Sequence, residues 1–505
     1  MSRVVIIGGG AAALRACLAA VERGARVTLV SKGRVAASGC TLAVDSKIEF
    51  SVVNWPMPVP DTPSTYAADL EMIGGGLKDP GRVQLFTERS HDESVLLERL
   101  GVALDEDGRY QRVQLAGSSQ PRGIVCPRHF GARLLKTLWA ATRQDRVTVL
   151  DRAMALEILT DGGRASGVLV MDVRTGERRL VKADAVVLAA GGAGQVFSLT
   201  TNPRELTGDG YALAVRAGAR LDHMEFIQYV MLTVAPIRGY FLLTSALLAG
   251  TLADEGGLRW TPGADPQAMS PAEQKHLLMD FIAWIAQRKR SAPGIRVFWD
   301  GSALGGELVR RMPKTCAAFA RRGCDLTRRA VEIDVGAHQF LGGVVTDLDG
   351  RSNVVNLFAA GDVADSVQGA DRINGSGLME ALVFGARAGA GAAALPSVRA
   401  RADVPAAYRQ RSRHSLSRLG EWRRRLASVM DEVLVVRDRD RLTRLAPRLE
   451  DNLRELEAGG LTGETPATMR TLHELRSALT TALAVTHASL RREQSLGLFQ
   501  TAPGS

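Results

Sequence analysis

Residues 4–7, Val-Val-Ile-Ile, are an unbroken apolar run, the pattern of a parallel strand buried on both faces. Six small residues follow at once, Gly8-Gly9-Gly10-Ala11-Ala12-Ala13, leading into an Ala/Leu-rich stretch to Arg23 that reads as a helix closed by Gly24. Val27-Thr28-Leu29-Val30 is a second strand, ending in Ser31-Lys32. Helical spacing returns over 80–100, with Val83, Phe86, Val95 and Leu96 among its apolar positions, and over 130–142. Residues 147–150, 166–172 and 178–182 read as strands, the last two joined by the turn at Arg174-Thr175-Gly176-Glu177. Ala185-Val186-Val187-Leu188 then repeats the opening pattern, a buried strand running into Ala189-Ala190-Gly191-Gly192. A helix over 211–217 follows Thr207-Gly208-Asp209-Gly210. Residues 55–63 are proline-rich and irregular, and 396–405 form a small-residue linker. Beyond it, 408–456 and 466–490 read as long amphipathic helices separated by Gly459-Gly460 and Gly463.

The opening stretch carries the chemistry. Strand, glycines, helix and second strand occur in the order of the dinucleotide fingerprint G-x-G-x-x-A. Gly8 allows the tight turn, Gly10 lets backbone approach a pyrophosphate, and Ala13 lets helix and strand pack closely. The helix N-terminus would hold the phosphates. An NAD site usually places an acidic residue at the end of the second strand, where this chain has Ser31.

Composition bounds the class. At 505 residues, with 46% hydrophobic and 23% charged residues, the chain is globular and long enough for about two or three domains. No signal peptide is expected ahead of a strand that begins at residue 3 or 4, and the longest uncharged apolar run, 239–253, is short of the ~20 residues that span a bilayer. The five cysteines, Cys17, Cys40, Cys126, Cys316 and Cys324, include no C-x-x-C pair, which argues against a cluster or structural zinc and for a reducing, cytoplasmic setting. Cys316 and Cys324 stay open between a redox pair and two separate thiols, the second preferred. Much of the net charge of +10 lies in the Arg-rich C-terminal third, read as solvated helix faces. Aromatics are sparse there, so nucleic acid is not expected as a partner. An acidic partner or anionic substrate stays open.

Several later blocks closely resemble the fumarate reductase, succinate dehydrogenase and L-aspartate oxidase flavoproteins. They are Gly208-Asp209-Gly210-Tyr211 through Ala219, Met224-Glu225-Phe226-Ile227-Gln228-Tyr229, and Leu341-Gly342-Gly343 through Asp347. Leu357 through Asp362, Gly369-Ala370-Asp371-Arg372, Leu378-Met379-Glu380 through Gly385, and a worn C-terminal signature at Arg492 through Gly497 complete the series. The resemblance spans almost the whole chain, in order. It implies an α/β fold: a two-segment Rossmann-like FAD domain (1–221 and 341–395), an inserted capping domain (222–340) and a C-terminal helical bundle (396–505). It implies FAD, with Gly8, Gly10, Ala13, Ser31 and Lys32 at the ADP half. Thr41, Ala43, Gly191, Gly192, Asp209, Gly361, Asp362 and Leu378 would line the rest of the cofactor site. Asp362 stands where the family generally has Glu. Gly39 occupies the position of the His that links FAD covalently in succinate dehydrogenases, so the FAD is expected to be non-covalent.

In this family a hydride moves between flavin and a carbon beside a carboxylate while an Arg passes a proton. His338, Arg372 and Thr244 match residues that hold the substrate carboxylates; taken alone, the first two could equally be structural. The rest departs. Met279 stands in the position of the catalytic Arg, Ser245 replaces a Glu, Val230-Met231 a His-Pro, Gln368 a His, Gly377 a Ser, and Leu496 and Phe499 an Arg and a His. Arg288 and Arg290 could supply the missing cation, though a solvated helix face is the preferred reading. The resemblance therefore implies an FAD-dependent oxidoreductase acting on a small carboxylate or amino acid, closest in layout to L-aspartate oxidase. The alternative is a non-catalytic or electron-relaying subunit with a redox partner. An oligomer is possible, and no metal site is expected.

Overall fold

The computed structural model describes residues 1–44, 48–52, 61–102, 111–142, 145–242, 244–262, 269–397, 404–433 and 435–502. Most of the proline-rich stretch and of the small-residue linker lies outside these. A five-stranded sheet forms the centre, in the order Leu357–Ala359, Ala185–Leu188, Arg3–Ile7, Arg26–Ser31, Val147–Asp151. All its neighbours run parallel. That is why the apolar runs are unbroken: Val4, Val5, Ile6, Val186, Val187 and Leu188 have core on both faces.

The first helix, Ala11–Glu22, packs against Ser376–Ala393, a helix from far down the chain. Their backbones nearly touch. A Cβ on Gly385 would stand 2.7 Å from the Ala12 carbonyl oxygen, and one on Gly389 2.0 Å from that of Ala16. This approach binds the late segment to the first.

An antiparallel sheet of Ala153–Asp161, Arg164–Asp172 and Arg178–Lys182 lies beside the central one. Its first strand escapes a sequence reading because Ala, Leu and Glu favour helix, and only pairing across Gly162-Gly163 makes it extended. A second antiparallel sheet, in the order Ile227–Ala235, Val331–Phe340, Val297–Asp300, Thr251–Asp254, Arg259–Trp260, carries the helix Pro271–Ser291. A capping box of Ser270 and Glu273 starts that helix, and Leu277, Leu278, Phe281, Ile282 and Ile285 bury its inner face. At its end, Arg288 pairs with Asp254 (2.6 Å), Lys289 with Asp334 and Arg290 with Asp438. These cations are neither a solvated face nor a replacement for a catalytic Arg; they tie the helix down.

The expected single helix over 408–456 is two, Leu416–Asp431 and Arg439–Ala458. Val435 takes a left-handed φ of 64°, Val436–Arg437 pair in parallel with Gln500–Thr501, and Asp438 caps the next helix through Arg441 N (3.0 Å). Arg437 is the reason for the break, since its buried guanidinium donates to the Glu225 carbonyl and the Tyr229 hydroxyl. Pro466–Arg491 completes the helical part. Cys316 and Cys324 are not disulfide-bonded, and among the described residues no helix is long and apolar enough to cross a membrane.

Gly389→Val should place a branched side chain against the Ala16 backbone and destabilise the protein by at least about 1–3 kcal/mol. A urea midpoint equal to the parent's would show that the two helices are not locked at this contact.

Candidate active site

A cleft of about 900 Å³, open to solvent, lies across the carboxyl ends of the central strands, where open α/β sheets bind their ligands. Gly8 makes its floor possible. Its φ is 142°, and a Cβ there would meet the Ala189 carbonyl oxygen at 2.1 Å. Ala13 is fully buried behind it and lets the helix approach. Gly10 begins the helix without a side-chain cap, which leaves amides for a phosphate. Thr41 closes in from the other side, its Oγ1 accepting from Ala11 N at 3.3 Å. Ser31, Lys32, Gly191, Asp209, Gly361 and Asp362 line the same cleft. Ala43 shares the short turn with Thr41 but is exposed and does not line it.

Lys32 is more committed than the sequence suggests. Its ammonium pairs with Asp209 (2.6 Å) and Glu474 (3.2 Å) and donates to Thr207 Oγ1 (2.8 Å). Burial alone would push Glu474 up, but Lys32, Arg470 and Arg423 together hold it below its ordinary value. This cluster pins the end of the second strand to the C-terminal helix. The glycine cradle, the uncapped helix and a lining that runs from Gly8 to Asp362 fit the expected FAD.

At the far end stands Asp362. Burial raises its carboxyl to about 6, against the pull of the Arg372 charge and a hydrogen bond from Gln339 Nε2 (3.0 Å). Tyr211 Oη donates to its carbonyl (2.5 Å), and Gly192 lies close to its side chain. The helix Ser376–Ala393 points its N-terminus here, again with a glycine (Gly375) and no side chain as its cap. Leu378 is half-buried in its first turn.

Beyond Asp362, His338 projects from a β-bulge. Gln228 pairs with Gln339 and Tyr229 with Ala337, so His338 is the extra residue between them. A bulge re-aims a side chain that regular alternation would fix. Thr201 Oγ1 sits 2.8 Å from His338 Nδ1 and accepts from Asn202 Nδ2 (3.3 Å), which also donates to the His338 carbonyl (2.6 Å). With the Thr201 proton directed to Nδ1, the ring carries its own proton on Nε2. Burial, with Arg372 and Lys275 as nearby positive charges, pushes His338 down to about 3, so the ring is neutral at pH 7. Phe241 stacks on it, centroids 6.4 Å apart and 20° from parallel.

Arg372 is buried, and a Cβ on Gly377 would lie 3.2 Å from its Nη1 and 2.9 Å from the Gln339 amide. The missing side chain at 377 makes room for both. Asp371 Oδ1 accepts from Arg372 N (2.7 Å) and from the buried Lys275 ammonium (3.0 Å). Gln228 Nε2 donates to Asn374 Oδ1 (3.3 Å), while its buried Oε1 has no partner among the described residues. The structure thus brings His338, Arg372 and Asp362 together. Thr244 opens a short helix, Thr244–Leu247, but its side chain and that of Ser245 lie outside the described residues. Thr201, Asn202, Gln339 and Lys275 were not singled out from sequence. Thr201 and Asn202 stand in the polar run Thr200-Thr201-Asn202-Pro203, whereas Lys275 gives no signal beyond a charge beside apolar positions.

Three of the positions that depart from the family pattern come together: Met279 and Leu496, both half-buried, pack with Phe499 in an apolar cluster that includes Phe226, Leu341 and Ala370.

Comparison with known proteins gives a consistent set. The FAD binding domain model matches residues 3–378. L-aspartate oxidase of Caulobacter vibrioides is 32% identical over 508 residues, 98% of this chain and 91% of that protein. The fumarate reductase flavoprotein subunit of Mycobacterium tuberculosis is 31% identical over 550 residues, 98% of this chain and 91% of that protein. The Mycobacterium smegmatis Sdh1 complex superposes with a TM-score of 0.85 at 26% identity, covering 100% of this chain and 89% of that one.

Because the folded-state value of His338 lies near 3 and the unfolded value near 6.5, the neutral ring contributes stability that is full above pH 6.5 and is lost as pH falls toward 3. His338→Gln should therefore lose less thermal stability than the parent between pH 7 and pH 4.5. Equal losses in the two proteins would mean that the ring protonates freely in the fold.

Proposed function

This chain belongs to the FAD-binding family of fumarate reductase and L-aspartate oxidase, and from that premise we propose that it transfers hydride between flavin and a small carboxylate-bearing or amino-acid substrate. It binds FAD and is an oxidoreductase of that family; the substrate and the roles of individual residues are the proposal. The observation that carries it is the convergence of bulged His338 and buried Arg372 beside Asp362, at the uncapped N-terminus of the Ser376–Ala393 helix.

Gly8, Gly10, Ser31, Thr41 and the amides of the first helix hold the ADP half. Asp362 and the Ser376 helix hold the flavin end, and Gly191 and Gly361 keep the wall between them low. When bound, FAD supplies the hydride donor or acceptor. Arg372 binds a substrate carboxylate through its guanidinium, the geometry suited to such an anion. His338 donates its Nε2 proton to the same group. Asp371 fixes Arg372 through its backbone amide and ties it to Lys275 on the covering helix, so that helix both orients the anchor and keeps water off it. The thioether of Met279 has no proton to give. This favours a second reading, a flavoprotein that relays electrons to a partner subunit, as in the multi-subunit relatives. Anaerobic flavin bleaching separates the two: a carboxylic or amino acid that reduces the flavin supports the enzyme, and reduction by a partner protein alone supports the relay.

Acid precipitation should release intact FAD, since Gly39 offers no linkage; flavin that stays with the pellet would contradict this. Arg372→Ala should weaken a carboxylate ligand by about 1.5–3 kcal/mol with little change in FAD content, and unchanged affinity would make Arg372 structural.

A placed general acid or base contributes roughly 10²–10⁴ in rate. With Met279 and Ser245 where the family pattern has its Arg and Glu, turnover of succinate, fumarate and L-aspartate should be absent or slower by that order. Efficient L-aspartate oxidation by the unmodified protein would refute the assignment of Met279.

A further inference from the structure

If Asp362 stands at the flavin end of the cleft, as proposed above, its surroundings say what it does there. We propose that its carboxylate takes up a proton from water when the bound flavin is reduced, and gives it back when the flavin is reoxidised. A flavin that accepts a hydride gains two electrons and one proton, hence one negative charge. The proton on Asp362 offsets that charge.

The first support is how little holds this carboxylate. Gly361, with a φ of 74°, turns the chain out of the strand Leu357–Ala359 and sets Asp362 on the cleft wall. Gln339 Nε2 donates to its Oδ1 (3.0 Å); among the described residues no other donor reaches either oxygen, and no cation forms an ion pair with it. Other carboxylates in this part of the fold are engaged. Asp209 pairs with Lys32 (2.6 Å), Asp365 with Lys78 (2.6 Å) and Asp371 with Lys275 (3.0 Å). Glu380 accepts from Ser366 Oγ (2.7 Å), Val367 N (2.9 Å) and Gln368 Nε2 (3.3 Å). A carboxylate short of donors in a place shielded from water is the one that binds a proton most readily.

The second support is the balance of charge around it. Burial raises the Asp362 carboxyl to about 6, Glu380 pushes the same way, and Arg372 and the Gln339 hydrogen bond oppose them. The residue is half-buried and lines the cleft, so FAD seated there completes its burial. The negative charge of reduced FAD then decides its state, because burial and a like charge both favour the neutral carboxyl. The other groups that face it do not take the proton. Burial, and after it the Asp362 charge, raises the Cys40 thiol and the Tyr211 hydroxyl, so both keep their protons throughout. His338 is pushed down to about 3 and stays neutral. Glu380 has its oxygens filled.

The test is infrared difference spectroscopy of the FAD-loaded protein in an electrochemical cell at about pH 8, with electrons from the electrode and protons from water. Reduction should bring up the C=O stretch of a protonated carboxyl, shifted in D₂O. Asp362→Asn should lose this band and Glu380→Gln should keep it. The midpoint potential reads the same event: with one proton on Asp362 beside the one on the flavin, its slope against pH should be twice that of Asp362→Asn. If Asp362→Asn does not hold FAD, the band in the parent and in Glu380→Gln decides the matter. A parent with no such band, whose flavin absorption is nevertheless moved by Asp362→Asn, would overturn the proton inference and leave Asp362 at the flavin. A band lost in Glu380→Gln and kept in Asp362→Asn would overturn it as well. Flavin absorption and midpoint potential both unchanged in Asp362→Asn would overturn the placement of Asp362 too.

Discussion

The near-contact of two helix backbones governs this molecule. Gly385 and Gly389 let Ser376–Ala393 lie against Ala12 and Ala16 with no side chains between them. One helix starts at the phosphate-binding turn and the other at the far end of the cleft. Locking them together fixes the distance and direction between two uncapped helix N-termini. An extended dinucleotide then meets backbone amides at both ends of the cleft.

Ion pairs secure the pieces to this frame. Lys32 joins the second strand to Asp209 and to Glu474 of the last helix, and Lys275 joins the covering helix to Asp371. Each is largely buried, so its worth lies in geometry more than in net stabilisation, because desolvation offsets most of the attraction. Asp371 also fixes the residue after it, so the position of the cover and the aim of Arg372 are coupled.

The far end of the cleft is set by a bulge and by burial. His338 is neutral because it is enclosed beside two cations, and it is aimed by a bulge that Thr201 and Asn202 support. Met279 packs with Leu496 and Phe499, more than two hundred residues further along the chain.

Much of this was determined by the sequence alone. Unbroken apolar runs at 4–7 and 185–188, the glycines between strand and helix, and Ser31 in place of an acid specify a buried parallel sheet and a dinucleotide site. Their signals are local: φ, packing distance and burial on both faces act within a few residues. His338 and Arg372 were legible only because they sit inside recognisable blocks. The tertiary structure decided the rest. No local pattern shows that His338 is the extra residue opposite Tyr229, because a bulge is a relation between two strands. Nor does one show that Lys275 meets Asp371, that Arg288 and Arg290 are bound to carboxylates, or that buried Arg437 breaks a helix that reads as continuous. Met279, Leu496 and Phe499 become a single wall only when the chain has folded, because packing depends on distance in space, which separation along the chain does not encode.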